Sequence, residues 1–187
     1  MSNIFSQRIP ESPDDYVDKV SVVIADWLML ATTDGEKAEI IRTVAVKILA
    51  KAGMPQSDAE KAKALHKYVR DNLPYVDDPV GIEHMKAPWI IAWDFLKGAV
   101  AAEDCETSAT FLAALNRSVG LYSTVVLIDA WKTGEFNHAM TGVAIEGLEY
   151  LEETTVRGAE FGWHPSYTKI HVVPSPSSDM NNLQTVS

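Results

Sequence analysis

The stretch EDCETSATFLAALNRSVGLYSTVVLIDA, residues 103–130, carries two periodicities in succession. From Asp104 the apolar residues Ala109, Phe111, Leu112 and Leu115 recur at helical spacing, and Gly120 stops the run. From Tyr122 to Ala130 β-branched and aromatic residues take over, which is strand composition. Cys105 therefore falls in the first turn of a helix that runs directly into a strand. A predicted helical half lies before this junction and a predicted sheet after it.

Upstream, Ser12-Pro13-Asp14-Asp15 combines a capping serine, a first-turn proline and two carboxylates ahead of Tyr16, Val20, Val23, Ile24, Trp27 and Leu28. A second periodic run from Glu36 carries Ile40, Ile41, Val44, Ile48 and Leu49 and ends at Gly53 before Met54-Pro55. Ser57 with Glu60 forms a capping box before Ala64, Leu65, Tyr68, Val69 and Leu73. Between Leu73 and Pro88 the turn formers predict an ordered loop, followed by a short helix from Pro88 to Leu96. Downstream, strands are predicted over Phe136 to Ile145, Glu149 to Thr155 and Trp163 to Val173, with turns at Thr133-Gly134 and Glu146-Gly147. The expectation is an α+β fold in one domain over residues 1–173, helical over 12–73 with the core at 74–173. An extended polar tail is expected over 174–187.

The 187 residues are 47% hydrophobic, enough for one sizeable core. A formal net charge of −10 disfavours nucleic acid and anionic membranes as partners, because neutralising phosphates requires clustered Lys and Arg. A single cysteine rules out an internal disulfide. Met1 to Ile9 lacks the basic and apolar segments of a secretory signal, and neither Val20 to Ala31 nor Val119 to Trp131 is long enough to span a bilayer. A soluble protein of the cytoplasm is expected.

A thiol at a helix N-terminus is readily ionised by the unpaired N–H groups there, but Glu103, Asp104 and Glu106 oppose that unless a base stands beside it. Among the five histidines, His138 is the one on a predicted strand soon after the cysteine helix. The hairpin through Glu146-Gly147 returns the chain past it, so Glu152 or Glu153 can orient the imidazole. Strand alternation allows one of the two to do so. Taken singly, a buried cysteine is a small hydrophobe and a strand histidine is unremarkable. His66 is read as a surface residue and His84 as a loop contact. A metal set of His138, Glu152 and His164 lacks the ligand spacing of zinc sites, so no metal and no cofactor is expected.

Glu103-Asp104-Cys105-Glu106, then Asn137-His138-Ala139, then Tyr150-Leu151-Glu152-Glu153-Thr154 resembles the core of the transglutaminase-like superfamily. That pattern runs Gly-Asp-Cys-Asp before a helix, His on a strand, and Trp-x-x-Asp-Pro-Thr on the next. The segment Tyr75-Val76-Asp77-Asp78-Pro79, Gly81-Ile82-Glu83 and Pro88 is similar to bacteriophage-encoded versions, and the resemblance covers roughly residues 62 to 155. It implies a papain-like fold with Cys105 as nucleophile, His138 as base and Glu152 at the aspartate position, with Glu153 as substitute. It also implies an oxyanion site built on the backbone N–H of the nucleophile, with Trp89 and Trp93 as candidates to line that side. Glu103 replaces the family glycine, and Glu106 and Glu152 replace aspartates.

Two functions follow from the resemblance. One is a thiol protease, amidase or transamidase acting on a protein or peptide through an acyl-enzyme, with the acidic surface leaning toward hydrolysis. The other is a catalytically relaxed structural or assembly protein of a phage particle, associated with other phage structural proteins and located in the virion.

Overall fold

The computed structural model describes residues 2–9, 12–99 and 102–174. Its elements, in order, are β1 (Ile4–Arg8), α1 (Pro13–Thr33), α2 (Gly35–Lys51), α3 (Asp58–Asn72), β2 (Ile82–Lys86), α4 (Pro88–Leu96), α5 (Cys105–Ser118), β3 (Tyr122–Ile128), β4 (His138–Ile145), β5 (Leu148–Glu152) and β6 (Ile170–Val172). The α+β expectation holds, with the helices first and an antiparallel sheet after them. Each predicted helix is present, and the capping box at Ser57 and Glu60 has both of its reciprocal bonds. The tail expected over 174–187 lies, from 175 on, outside the described residues.

Helix α5 is the axis of the molecule. Every residue from Cys105 to Asn116 is buried, because α1 to α4 pack around one side and β3 and β4 cover the other. A helix enclosed in this way must satisfy its own polar groups. Thr110 Oγ1 donates to the Glu106 carbonyl at 2.7 Å, and Thr141 Oγ1 on β4 donates to the Ala109 carbonyl at 2.8 Å. Leu112 and Leu115 join Ile24, Ile41, Ile48 and Leu65 in a single apolar cluster. Burying a side chain of that size stabilises the fold by about 1.5–3 kcal/mol.

The main sheet has the order β5-β4-β3-β6, antiparallel throughout. The β4–β5 hairpin turns at Glu146 (φ 52°) and Gly147 (φ 80°), the paired positive angles of a tight two-residue turn. Two segments depart from expectation. The loop predicted between Leu73 and Pro88 contains β2, and the unassigned N-terminus forms β1, which pairs with it from Ile4↔Lys86 to Arg8↔Ile82. Such short strands are formed by mutual pairing, which local composition does not encode. The strand predicted over Trp163 to Val173 shrinks to Ile170–Val172.

Candidate active site

Asp104 is the N-cap of α5, its Oδ1 accepting the Thr107 N–H at 2.7 Å, so Cys105 occupies the first helical position. The strand-like approach to it is pinned from both sides. Glu103 bridges in parallel to Tyr75, and its carboxylate pairs with Lys86 Nζ at 2.7 Å. Cys105 is 7% exposed at the floor of an open cleft of about 370 Å³, whose walls include Tyr16, Tyr75, Asp78, Glu83, Trp131 and Asn137. The thiol donates to Glu106 Oε2 at 3.0 Å, and Tyr16 Oη donates to Glu106 Oε1 at 2.7 Å. Burial pushes the Cys105 thiol well up, and the charges of Glu106 and Asp104 add to that. The backbone N–H of Ala139, directed at the sulfur, acts the other way.

Ala139 follows His138 at the start of β4, so the strand that touches the sulfur also delivers the imidazole. Among the described residues Sγ makes no hydrogen bond to the His138 ring; its proton goes to Glu106. His138 Nε2 donates to Glu153 Oε2 at 2.5 Å, and among the described residues no hydrogen bond occupies Nδ1. Glu153 Oε1 accepts from Thr155 N at 2.6 Å, Thr155 Oγ1 at 2.7 Å and Val156 N at 3.2 Å. Burial alone would raise this carboxyl, but the hydrogen bond and charge of His138, with the Thr155 donors, hold it at about 2.

The carboxylate facing His138 is thus Glu153, the substitute, and not Glu152. The sheet register pairs Thr141 with Glu152, three residues along β4 from His138. Glu152 instead turns onto α5, where Oε2 accepts from Asn116 Nδ2 at 2.8 Å. It is fully buried, and burial raises its carboxyl well above the ordinary range. Among the described residues Glu152 Oε1 and Asn116 Oδ1 have no hydrogen-bond partner.

Other expectations also change. Trp89 and Trp93 do not line the thiol cleft. Trp89 is buried edge-on against Trp27, with Nε1 donating to Asn3 Oδ1 at 2.9 Å, and Trp89 and Trp93 border a separate hollow with Lys37 and Ile40. His66 is not on the surface: it is 1% exposed, and its Nε2 donates to the Glu153 carbonyl at 2.7 Å, bracing the residue that holds His138. His84 lies on β2, and its N–H donates to Asp78 Oδ2. His164 is exposed, with Nδ1 against the Pro165 carbonyl, and takes no part in the site.

The 129–137 loop before His138 is organised by Asp129, a residue the sequence did not single out. Its carboxylate accepts from Thr168 Oγ1, from the backbone of Thr133 and Gly134, and from Asn137 Nδ2. Burial opposes its charge, but these donors hold it far below the usual carboxylate range. Asn137 Oδ1 in turn accepts the N–H groups of Ala130 and Trp131, which presents Trp131 at the cleft, 75% exposed. The remaining wall residues, Tyr16, Asp78 and Glu83, come from α1, the 73–82 segment and β2. In the sequence only the pattern Asp77-Asp78-Pro79 with Gly81-Ile82-Glu83 hinted at the last two.

The sequence pattern of the Transglutaminase-like superfamily matches residues 42–165. The chain belongs to that superfamily. As a transglutaminase-like protein it has the papain-like α+β arrangement, in a superfamily of thiol enzymes, with Cys105 opening the central helix. Two solved structures are similar to it. One, called a "putative cysteine protease", from Cytophaga hutchinsonii, is 16% identical with a TM-score of 0.49, the match covering 80% of this chain and 55% of that one. The other, called a "putative protease", from Parabacteroides distasonis, is 13% identical with a TM-score of 0.47, over 73% of this chain and 26% of that one. The transglutaminase-like chain thus spans about half and about a quarter of the length of these two proteins. No curated protein matches it. Among the described residues no helix is long and apolar enough to cross a membrane.

Proposed function

We propose that this protein is a thiol enzyme acting on amide bonds of a protein or peptide, with Cys105 as nucleophile, Nδ1 of His138 as base and Glu153 as orienter. The observation that carries the reading is the 2.5 Å bond from His138 Nε2 to Glu153. It sits at the start of the strand whose Ala139 N–H reaches the Cys105 sulfur. A carboxylate on Nε2 fixes the tautomer that leaves Nδ1 able to take a proton, and it stabilises the imidazolium formed. In the reaction the thiol proton moves from Glu106 to Nδ1 of His138, and the thiolate adds to the amide carbonyl. The C–N bond then breaks as the imidazolium protonates the departing amine, leaving a thioester. Water resolves it to an acid, or an amine resolves it to a new amide. The backbone N–H of Cys105, at the first position of α5, is free of intrahelical bonding and suits the oxyanion.

One observation favours a second reading. Glu106 accepts the thiol proton at 3.0 Å and its charge opposes the thiolate, as suits a relaxed site in a structural or assembly protein, a phage particle being the setting its sequence resembles. The test is peptide hydrolysis and dansylcadaverine incorporation by the full chain, beside mass-spectrometric iodoacetamide labelling of Cys105 across pH. Activity abolished by Cys105→Ala, with selective labelling near neutrality, is the expected result. Activity that survives Cys105→Ala overturns the proposal. An inert wild type whose Cys105 stays unlabelled favours the assembly reading.

A further inference from the structure

Tyr75 borders the thiol cleft and also a second hollow, of about 550 Å³. The two differ in charge. Asp77, Asp78, Glu83 and Glu135 wall the thiol cleft, and among the described residues no Lys or Arg does. The second hollow is walled instead by Arg70, near the end of α3, and by Thr154, Thr155 and Arg157 from the segment after β5. Asp71 is the one acid on that wall among the described residues, and it is already bonded by both Lys67 and Arg70. Arg157 is exposed, and its guanidinium makes no ion pair or hydrogen bond among the described residues. Thr154 is 4% exposed, yet its Oγ1 has no hydrogen-bond partner among the described residues. A buried hydroxyl in that state is costly, and a ligand that accepts its proton removes the cost. Local positive charge of this kind runs against the net −10 of the chain.

We propose that this hollow is the subsite for a carboxylate of the peptide substrate, from an acidic side chain or a free C-terminus, held by the Arg157 guanidinium and the Thr154 hydroxyl. The inference rests on the thiol-enzyme reading for the ligand being a peptide. A guanidinium presents paired N–H donors that match the two oxygens of a carboxylate. The acids of the thiol cleft repel the same group, so it is drawn to the hollow and the substrate lies across Tyr75 in one direction. Thr155 lines the hollow and gives its N–H and hydroxyl to Glu153 Oε1, so the subsite adjoins the acid that holds His138. The charge of Glu153 is met there by His138 and by these donors.

The experiment uses the full chain carrying Cys105→Ala, so that binding is read without turnover. Calorimetry follows short capped peptides built on Ala-Gln-Ala, with one glutamate placed at each position in turn, beside the same peptides with glutamine. A further pair ends in a free C-terminal carboxylate or its amide. The best carboxylate peptide is expected to bind about tenfold more tightly than its amide partner, with the advantage shrinking as sodium chloride is raised. Preference for the glutamate assigns a side chain, and preference for the free terminus assigns a C-terminus; either supports the subsite. Arg157→Gln should abolish the preference and Arg157→Lys should keep part of it, while Thr154→Val should reduce it severalfold. Amide ¹H–¹⁵N shifts on titration should centre on Thr154, Thr155 and Arg157. Equal binding of carboxylate and amide forms overturns the proposal, as does a preference that survives Arg157→Gln, shifts confined to other segments, or no binding at millimolar peptide. If Thr154→Val does not fold, Arg157→Gln decides, since Arg157 is exposed. Peptide hydrolysis by the wild type separates the two readings. A carboxylate preference in an inert chain supports the subsite and counts against the thiol chemistry, whereas activity without that preference overturns the subsite alone.

Discussion

Glu153→Gln removes one charge from a fully buried position and leaves the volume almost unchanged. In the wild type the Glu153 carboxyl is held at about 2 against an ordinary 4.5. At about 1.4 kcal/mol per pKa unit, that difference is worth roughly 3 kcal/mol. His138 supplies the largest stabilising share, ahead of the Thr155 donors. A glutamine can keep the oxygen that accepts from Thr155 and Val156, but its amide then points N–H groups at Nε2. The imidazole must answer as an acceptor, which moves its proton to Nδ1 and blocks acceptance of the thiol proton. Acylation of Cys105 is expected to fall by about 10²–10⁴-fold, as when the acid of a nucleophile–base–acid triad becomes an amide. Long-range ¹⁵N–¹H spectra of the His138 ring should report the change of tautomer. The pH dependence of stability offers a second check. A carboxyl depressed on folding contributes stability that is complete above its unfolded value and lost as pH falls through the folded one. Wild type should therefore lose roughly 3 kcal/mol between about pH 4.5 and 2 that Glu153→Gln does not lose. Unchanged acylation, an unchanged tautomer and parallel pH–stability curves would refute the assignment of Glu153 to His138.

Glu152→Gln should behave in the opposite way. Burial raises this carboxyl, so the folded state binds its proton more tightly and stability falls as pH rises above the unfolded value. The variant should be more stable than wild type near pH 8, with little change below pH 4, measured by urea melts at both pH values; a loss at pH 8 would count against a protonated Glu152. Glu106→Gln removes the charge that faces the thiol, so iodoacetamide labelling of Cys105 at pH 7–8 should quicken severalfold, with a midpoint at lower pH. A slower reaction would mean that Glu106 assists ionisation and does not oppose it.

Local signals placed the helices well. Ser57 and Glu60, Asp104 before Cys105, and Gly53 after Lys51 act through bonds within a few residues, so their effect is written in neighbouring sequence. The Cys105 and His138 positions were legible for the same reason, one as a helix start and the other as a strand start after it. The choice between Glu152 and Glu153 was not, because adjacent strand residues face opposite ways and the register that decides between them is a pairing of β4 with β5. His66, read as a surface residue, is buried on α3 with its ring bonded to the Glu153 carbonyl, 87 residues along the chain.

The sequence by itself determined the order of helices and strands, the cap that sets Cys105 at the first turn of α5, and the superfamily, since each depends on residues close together in the chain. Only the tertiary structure decided which glutamate holds His138, and that Tyr16 reaches Glu106 across 90 residues. It also decided that Asp78, Glu83 and Asp104 converge beside the thiol. Those contacts join segments whose separation in the chain carries no periodicity or local propensity, so they exist only once α5 is enclosed and the strands have paired.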